Sequence, residues 1–571
     1  MSDPTPPPAS SPAPSPTPAP ALLPAPSLAA WGPAAVLYAA VVAYLLVRNI
    51  GVPVFDDAYF FKRFALHAID HGVYAWNLAD GPVYGSTSQA FQLLATLAAA
   101  ISATHYVLVV KVMNAAALTG LAAVTLRWCS RAAGPRGSMV AQWGLGSPLV
   151  LTTLLTGMET AITLLVLALV LTAMIRPDGQ QPMPPARAAG WTLVLYLFRP
   201  DAAIVPAVAY TLPTLLRGAW PGRYAAWLAG LLVATVAVLW AYYGTPLPLS
   251  FFMKTSGLQP YGAHVAMLGL GQKQLHFGAT LVFAAPLLWL AAHRRDPANL
   301  ALLGATAALW AYHLLLTNEI MGYRGRFYVP GLVPLCLAAA RGEPVQREHG
   351  RPWVAWAGLG GLAVVVAVAY ANDWIPTPAD DALGQIPWPC YAALVVGGAW
   401  LLRPGPRLPP ALEPAVMGLV IAGSVLGWHP PSPFRVRSDA QLLRIHARQV
   451  TTVRGLSDVA RCLPDARTVY HSEMGVTGLV LWNTRVVDLV GILSDHVVGG
   501  ETFEQICERD APEAIFLPHH NYRELNREIQ QSECIADYRR VVDRSSTPLY
   551  VRRDLADDFL SCATEVHRYR R

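Results

Sequence analysis

The sequence is poor in charged residues. Asp, Glu, Lys and Arg make up 14% of the 571 residues, and hydrophobic residues make up 54%. The mean hydropathy is +0.36. A soluble domain usually has about 25% charged residues, so about half of that charge is missing. Apolar runs close to the roughly 20 residues that cross a bilayer recur along the first three quarters of the chain. We therefore expect a polytopic, all-α membrane protein.

Several motifs are also absent from the sequence. It has no basic run interleaved with aromatic residues, so we expect no nucleic-acid partner despite the net charge of +6. It has no Gly-rich phosphate loop, no His/Cys cluster with metal-ligand spacing and no nucleophile-elbow motif. A transporter built from related halves would show an internal repeat, and none is visible. These absences argue against most soluble enzyme classes and against such a transporter.

The N-terminus lacks the basic segment of a signal peptide. Residues 1–30 are rich in Pro, Ala and Ser, and Asp3 is their only acidic residue. Such a tract cannot bury enough apolar surface to offset its ordering entropy. We expect a disordered cytoplasmic tail.

Residues 31–430 contain the apolar runs, and the arginines orient them. About 13 spans are predicted, at 34–50, 107–126, 138–156, 160–175, 188–199, 201–215, 224–242, 275–292, 299–316, 327–340, 353–371, 389–402 and 413–428. With a cytoplasmic N-terminus, the arginine-rich loops all fall inside: Arg127, Arg131 and Arg136; Arg176 and Arg187; Arg217 and Arg223; Arg294 and Arg295; Arg341, Arg347 and Arg351; Arg403 and Arg407. This is the positive-inside pattern of an inner-membrane protein.

Two parts of the sequence fit this topology poorly. Segments 188–199 and 201–215 are short and separated only by Arg199-Pro200, so a single kinked span is the alternative. Segment 89–103 is apolar enough to span but would break the alternation of sides. We interpret it as a helix that lies at the membrane surface or re-enters the membrane.

After residue 430 the composition becomes charged. Short mixed runs at 466–470 and 484–490 alternate with helix-like stretches at 439–450 and 521–531. This pattern predicts a small soluble α/β domain, 431–571, on the periplasmic side. It contains Cys462, Cys507, Cys534 and Cys562, which in an oxidising compartment form two disulfides in one of three pairings. Free buried thiols are the alternative.

The candidate catalytic residues are concentrated in the first external loop, 51–105. It begins with Asp56 and Asp57, followed by Tyr59, Lys62 and Arg63. Adjacent carboxylates beside hydrocarbon are costly unless cations or a metal pair with them. A carboxylate there can take a proton from an acceptor hydroxyl while nearby cations hold a phosphate. The structural alternative is a helix N-terminus, with Asp56 as the cap and Asp57 in the first turn.

Other external segments add polar residues on the same side. They are Glu159 in TGMET, Arg199 in RPD, Lys254 in YYGTPLPLSFFMK, and Arg324 and Arg326 in YRGRF. Singly, each is typical of a capped helix end or an interfacial anchor. Together they suit a cavity where an anionic lipid-linked donor meets an acceptor.

These motifs and their order resemble the GT-C superfamily of glycosyltransferases. The run DDAYFFKRFALHAIDHGVYAWN resembles its first-loop signature, and HSEMGVTGLVLWNTRVVDLVGILSD resembles a C-terminal motif of one branch. That branch includes the mycobacterial terminal arabinofuranosyltransferases. The resemblance spans roughly residues 34 to 500.

The resemblance implies a fold, a reaction and residue roles. We expect inverting transfer of a sugar from a polyprenyl-phosphate carrier to a glycan, lipid or protein acceptor at the outer face of the bilayer. Asp56 or Asp57 would be the base or its metal-binding partner, and Glu159 a second acidic contact. Asp488 would lie near the acceptor. The residues implied to hold phosphate are Lys62, Arg63, Lys254, Arg324 and Arg326.

One segment departs from the branch. Where a Glu-Gly-Tyr-Thr-x-Pro-Leu-Trp-like run is expected, residues 84–91 read YGSTSQAF. The missing Glu and Trp leave the identity of the sugar and the acceptor open. A divalent cation, Mg²⁺ or Mn²⁺, bound by Asp56 and Asp57 is a further option, because carboxylate oxygens suit both ions. A transporter or a non-catalytic envelope-assembly scaffold remains the alternative function.

Overall fold

The structure is a computed structural model. It describes residues 28–176, 183–254, 270–317, 325–349, 401, 412–426, 436–449, 451–497, 499–518, 522–542 and 548–568. The predicted span 353–371, nearly all of 389–402 and residues 1–27 of the predicted tail lie outside the described residues. Residues 28–30, assigned to the tail from sequence, instead begin the first helix.

The described chain is mostly helical up to residue 426. Apolar segments in a bilayer form helices because each backbone N–H and C=O must find a partner within the chain. The helices are α1 Leu28–Asn49, α2 Asp56–His71, α3 Gln89–Ile101, α4 Tyr106–Leu145, α5 Pro148–Leu151, α6 Thr160–Met174, α7 Pro185–Phe198, α8 Ile204–Leu216, α9 Gly222–Tyr243, α10 Leu249–Lys254, α11 Leu270–Ala292, α12 Pro297–Leu316, α13 Leu332–His349 and α14 Glu413–Leu426.

Four of the described helices are long and apolar enough to cross a membrane. They cover Trp31–Asn49, Tyr106–Leu145, Gly222–Tyr243 and Pro297–Leu316. Shorter apolar helices, such as Thr160–Met174, coincide with other predicted spans. The chain is therefore a helical membrane protein, and the number of about 13 spans stays a prediction.

The two predicted spans 107–126 and 138–156 are joined in the structure. Both fall on α4, which is interrupted by non-helical backbone at Ala133 and at Gly134, whose φ is +63°. Pro135 follows, and proline disfavours helical backbone in the residue before it. The second segment then ends near Gly146 instead of reaching residue 156, because Ser147 caps the separate short helix α5.

The predicted surface or re-entrant segment forms the short helix α3. Leu93, Leu97 and Ile101 are exposed on it, with 61%, 54% and 64% of their surfaces accessible. Their spacing of four residues places them on one face. The opposite face is buried through Phe91 and Ala95. The structure also contains separate helices α7 and α8 on either side of Arg199-Pro200.

The C-terminal residues contain a small mixed sheet. Its strands are β1 Thr468–His471, β2 Arg485–Asp488, β3 Ala514–Phe516, β4 Tyr538–Val542 and β5 Leu549–Arg552, in the order β2-β1-β3-β5-β4. β1 pairs in parallel with β2 and β3, and β5 pairs antiparallel with β3 and β4. The predicted strand-like runs 466–470 and 484–490 fall on β1 and β2.

The C-terminal region also contains helices, and two disulfides cross-link it. The helices are α15 Asp439–Gln449, α16 Thr451–Cys462, α17 Gly475–Val480, α18 Phe503–Asp510, α19 Arg523–Gln531 and α20 Arg553–Arg568. The disulfides join Cys462 to Cys562 and Cys507 to Cys534. The expectation of two bridges is confirmed, and one of the three pairings is selected. A separate periplasmic domain with a boundary at residue 430 stays a prediction.

The first external loop packs directly onto this C-terminal region. Phe64 and Trp76 of the loop belong to the same apolar core as Val469 and Phe516 of the sheet. The indole N–H of Trp76 donates to the carbonyl of Val486 at 2.9 Å. This packing places the start of α2 against the loops that follow β1 and β2.

Candidate active site

A cavity lies where the start of α2 meets several helix ends and the C-terminal loops. Its volume is about 190 Å³, many times the roughly 10–15 Å³ that a single water molecule needs. Its polar and charged lining residues are Asp56, Asp57, Ser86, Thr87, Ser88, Glu159, Arg199, Asp201, Ser250, His313, Thr317, Arg326, Ser472 and Glu473. Aromatic residues, including Phe60, Phe61 and Phe251, complete the wall. The cavity is thus amphipathic and large enough for an organic ligand.

Asp56 connects the first loop to the C-terminal region. One carboxylate oxygen accepts the backbone N–H of Gly475 at 2.9 Å, and the other accepts that of Val476 at 2.7 Å. A Cβ at position 475 would lie 1.7 Å from the Asp56 carbonyl oxygen, so only glycine permits this approach. Burial raises the pKa of Asp56 to about 6, although these hydrogen bonds oppose the shift. Both oxygens of Asp56 therefore have structural partners.

Asp57 faces the cavity and lies beside Arg326. One of its oxygens is 3.7 Å from Nη2 of Arg326, and 24% of the Asp57 side chain is exposed. Arg326 is buried, and its Nε and Nη1 find no hydrogen-bond partner among the described residues. Buried N–H groups of a cation are costly to leave unpaired. Arg326 therefore has hydrogen-bonding capacity that an anionic ligand would satisfy.

A second charged cluster lies at the break between α7 and α8. Nη2 of Arg199 is 2.6 Å from Oδ2 of Asp201, and Nε is 3.9 Å from Oε1 of Glu159. Nε2 of His313 is 3.0 Å from the same Asp201 oxygen. Oε2 of Glu159 and Nη1 of Arg199 are buried without hydrogen-bond partners among the described residues. The cluster thus presents one acceptor and one donor that the described protein groups do not satisfy.

Lys62 and Arg63, predicted to hold phosphate, have other partners. Nζ of Lys62 is 2.7 Å from Oδ2 of Asp439 in a buried ion pair. Arg63 is 2% exposed, and its nitrogens donate to the side chain of Asn77 and to four backbone carbonyls, those of Trp76, Gly478, Leu481 and Thr484. A guanidinium has five N–H groups, so these five acceptors use its full capacity. The structure therefore corrects the prediction, because both cations fasten the first loop to the C-terminal region.

Two other predicted residues lie away from the cavity lining. Tyr59 is fully buried in the helical core. Asp488 is also fully buried, and its oxygens accept the backbone N–H groups of Val490, Ile492 and Leu493 at 2.7–2.9 Å. Burial raises the pKa of Asp488 to about 6. Asp488 thus shapes the loop whose residues Ile492 and Leu493 line the cavity, and its predicted place near the acceptor stays a prediction.

The remaining predicted cations cannot be placed. Lys254 ends α10, and its side chain lies outside the described residues. Arg324 lies outside them as well. Their predicted role in holding phosphate stays a prediction.

Sequence reasoning missed Glu473, which the C-terminal region contributes to the cavity. Burial raises its pKa well above the usual range, and Asp56, Asp57 and Asp488 raise it further. Glu473 stands within HSEMG, a stretch noted only for its resemblance to the arabinofuranosyltransferase branch. The signal that was available is an acidic residue between a predicted strand and a glycine, a position where loops often carry functional side chains.

The departure from the branch at residues 84–91 falls on the cavity wall. Ser86, Thr87 and Ser88 line the cavity where a Glu was expected nearby. A Cβ at Gly85 would lie 2.2 Å from Cδ2 of Leu493, so this loop is closely packed against the loop after β2. At this side of the cavity, small hydroxyl side chains therefore stand where the resemblance implies a Glu.

The described residues do not fit the divalent cation considered from sequence. Both Asp56 oxygens accept backbone N–H groups, and Asp57 lies beside a guanidinium. Within the described part of the chain, no three His, Cys, Asp or Glu side chains come together as a metal site would require. Cation binding stays a prediction, and no step proposed below depends on it.

No protein-family model matches the sequence, and no curated protein matches it. Among solved structures, the chain is similar to ArnT from Cupriavidus metallidurans in the apo state, with a TM-score of 0.51 and 15% identity over 92% of this chain and 98% of that one. ArnT from the same organism bound to undecaprenyl phosphate gives a TM-score of 0.49 at 15% identity, over 93% of this chain and 99% of that one. The likeness to the apo structure shows that the two chains share a fold.

Proposed function

We propose that the protein is a GT-C-type glycosyltransferase that moves a sugar from a polyprenyl-phosphate carrier to an acceptor hydroxyl. The observation that carries the proposal is the pair formed by Asp57 and Arg326 at the cavity, 3.7 Å apart. A base and a cation with unsatisfied N–H groups are the two components that transfer from a sugar phosphate requires. The fold shared with the apo ArnT structure supports this assignment.

In the proposed mechanism Arg326 binds the phosphate of the donor. Its Nε and Nη1 lack partners among the described residues, and a guanidinium can contact two phosphate oxygens at once. As the sugar–phosphate bond breaks, the bonding electrons pass to the phosphate oxygen. The same cation then stabilises the polyprenyl phosphate that leaves.

Asp57 acts as the general base. It takes the proton of the acceptor hydroxyl while the acceptor oxygen forms its bond to the anomeric carbon. Attack from the face opposite the leaving phosphate inverts the configuration at that carbon. Proton transfer of this kind typically contributes about 10²–10⁴-fold to the rate. Asp56, in contrast, holds the backbone of Gly475 and Val476 and so keeps Asp57 in place.

Arg199 and Glu159 would bind the sugar of the donor. The unpartnered Nη1 of Arg199 and Oε2 of Glu159 offer a donor and an acceptor side by side. Vicinal hydroxyls of a sugar match such a pair, since each hydroxyl both donates and accepts. Asp201 and His313 hold Arg199 in this position.

The sugar, the acceptor and the cellular location complete the proposal. The resemblance of the motifs to arabinofuranosyltransferases favours arabinofuranose as the sugar, and a cell-envelope glycan, lipid or protein as the acceptor. The positive-inside pattern favours a multi-pass protein of the inner membrane with the cavity on the periplasmic side. The sheet-containing C-terminal region would then be a periplasmic domain, in agreement with its two disulfides.

The test is release of polyprenyl phosphate by the purified protein. A panel of polyprenyl-phosphate-linked sugars would be incubated with wild type, Asp57→Asn and the matched control Asp70→Asn, whose side chain is exposed on the same helix. We expect release with at least one donor, loss of release in Asp57→Asn, and wild-type release in the control. Release that is equal in all three proteins would refute Asp57 as the base. A transporter or scaffold would release none with any donor and acceptor.

A further inference from the structure

The C-terminal region contributes a polar edge to the cavity. Arg326 and Arg199 stand on the transmembrane side, and Ser472 and Glu473 line the cavity from the loop that follows β1. Ser472 is 8% exposed, and its hydroxyl has no hydrogen-bond partner among the described residues. An orphaned buried hydroxyl at a cavity wall indicates a ligand with a polar group at that point.

The backbone holds these two residues rigidly. The backbone N–H of Glu473 donates to Nδ1 of His471 at 2.8 Å. The backbone carbonyl of Glu473 accepts a hydrogen bond from the hydroxyl of Thr477. The next residues, Gly475 and Val476, are fixed by Asp56. A side chain on such a fixed backbone presents its polar atoms in one place, as a binding site requires.

The charged groups near Glu473 determine the protonation state of its side chain. Asp56 and Asp57 act on it from the start of α2, and Asp488 acts from the end of β2. His471, on its own strand, is fully buried, and burial lowers its pKa to about 3, so it contributes no positive charge at neutral pH. The nearby cation Arg326 pairs with Asp57. A carboxyl group in such surroundings keeps its proton and becomes a hydrogen-bond donor.

We propose that Ser472 and Glu473 form a hydroxyl-binding subsite for the uncharged polyol part of the substrate, with the protonated Glu473 as donor. This inference rests on the proposed function and specifies its substrate class. The phosphate goes to Arg326, and an unpartnered hydroxyl beside a protonated carboxyl suits an uncharged, hydroxyl-bearing group. Glu473 keeps its proton throughout, and Asp57 alone receives the proton of the acceptor.

The experiment compares Glu473→Gln, Glu473→Ala and Ser472→Ala in the release assay. Gln is uncharged and donates a hydrogen bond, as the protonated acid does, so Glu473→Gln is expected to stay within about threefold of wild type. Glu473→Ala should raise KM for the sugar substrate by about 10-fold or more, and Ser472→Ala by about fivefold, with smaller changes in kcat. Loss of activity in Glu473→Gln equal to that in Glu473→Ala would overturn the proposal.

A second measurement does not depend on transfer. The infrared spectrum of the wild type at pH 7 should contain a protonated-carboxyl band that is absent from Glu473→Gln. Identical spectra in the carboxylic-acid region would overturn the proposal even if the transferase is active. If the band is present but no donor is turned over, the form of Glu473 is supported while the proposed function fails. Thermal unfolding of all variants shows whether a loss of activity reflects a loss of folding.

Discussion

Asp57 and Arg326 lie 3.7 Å apart at the cavity, although 268 residues separate them along the chain. The first external loop contributes the carboxylate, and the segment between α12 and α13 contributes the cation. The adjacent Asp56, in contrast, accepts the backbone N–H groups of Gly475 and Val476. This relationship divides the roles of the two aspartates and leads to the following predictions.

Removing the cation should weaken donor binding. We expect Arg326→Gln to lower kcat/KM by about 10²–10³-fold, the usual effect of losing one group that stabilises developing charge. The substitution Arg295→Gln, on an exposed arginine in the turn between α11 and α12, is the matched control and should leave kcat/KM unchanged. Release assays over a range of donor concentrations give both values. Equal kinetics for Arg326→Gln and wild type would exclude phosphate binding by Arg326.

Arg63 should be essential for folding, in contrast to a phosphate ligand. Its five hydrogen-bond acceptors would lose their partner in Arg63→Met, and each buried acceptor left unsatisfied typically costs about 1–3 kcal/mol. We expect a large fall in melting temperature or loss of folded protein in detergent. Lys62→Met should be destabilising as well, and less so when Asp439→Leu is added, because the second change removes the unpaired charge. An Arg63→Met protein that melts like wild type but binds no donor would restore the role predicted from sequence.

The stability should respond to pH through Asp56. Its pKa is raised to about 6 in the folded protein, mainly by burial, above the roughly 3.9 of an unfolded chain. The folded state thus binds this proton more tightly, so the contribution of Asp56 is fully present below pH ~4 and is lost as the pH rises through 6. Relative to Asp56→Asn, the wild type should become less stable between pH 4 and pH 7. Melting curves across this range, with Asp70→Asn as control, test the sign. A difference that does not vary with pH would contradict it.

The two disulfides should differ in their contributions to stability. The Cys462–Cys562 bridge links residues 100 apart, and the Cys507–Cys534 bridge links residues 27 apart. Chain-entropy reasoning gives roughly 4.7 kcal/mol for the longer loop and roughly 3.6 kcal/mol for the shorter. Denaturant unfolding of Cys462→Ser/Cys562→Ser and Cys507→Ser/Cys534→Ser measures both. Peptide mapping without reduction checks the pairing, and any other pairing would contradict the structure.

The orientation in the membrane can be tested with introduced cysteines. Asp70 and Arg295 are both exposed, and the positive-inside pattern predicts that they lie on opposite sides. Asp70→Cys should react with a membrane-impermeant maleimide applied outside intact cells, and Arg295→Cys only after permeabilisation. Both native free cysteines in the described part of the chain, Cys129 and Cys336, are buried and give little background. Labelling of Asp70→Cys from the cytoplasm alone would invert the topology.

Local sequence patterns predicted the secondary-structure elements better than the contacts that the site residues make. The runs at 466–470 and 484–490 fall on β1 and β2, whose residues are nearly all buried, because short runs rich in β-branched residues suit a buried strand. The adjacent carboxylates Asp56 and Asp57 were recognised, but their division of roles depends on Gly475 and Arg326, which are hundreds of residues away. Arg63 was assigned to phosphate because it follows an acidic pair, and the carbonyls that bind it are invisible in a sequence. Glu473 has a local signal, an acidic residue between a predicted strand and a glycine, but its place at the cavity depends on the packing of α2 against the loop after β1.

In the proposed mechanism Asp57 is the base and Asp56 is a structural residue. The most direct measurement is the rate of polyprenyl-phosphate release by Asp57→Asn and Asp56→Asn, each compared with wild type at equal amounts of folded protein. We expect Asp57→Asn to lose about 10²–10⁴-fold in kcat, as removal of a general base does. Asp56→Asn should lose far less, because its amide oxygen still accepts a backbone N–H. Wild-type turnover by Asp57→Asn, with turnover lost in Asp56→Asn, would contradict the account.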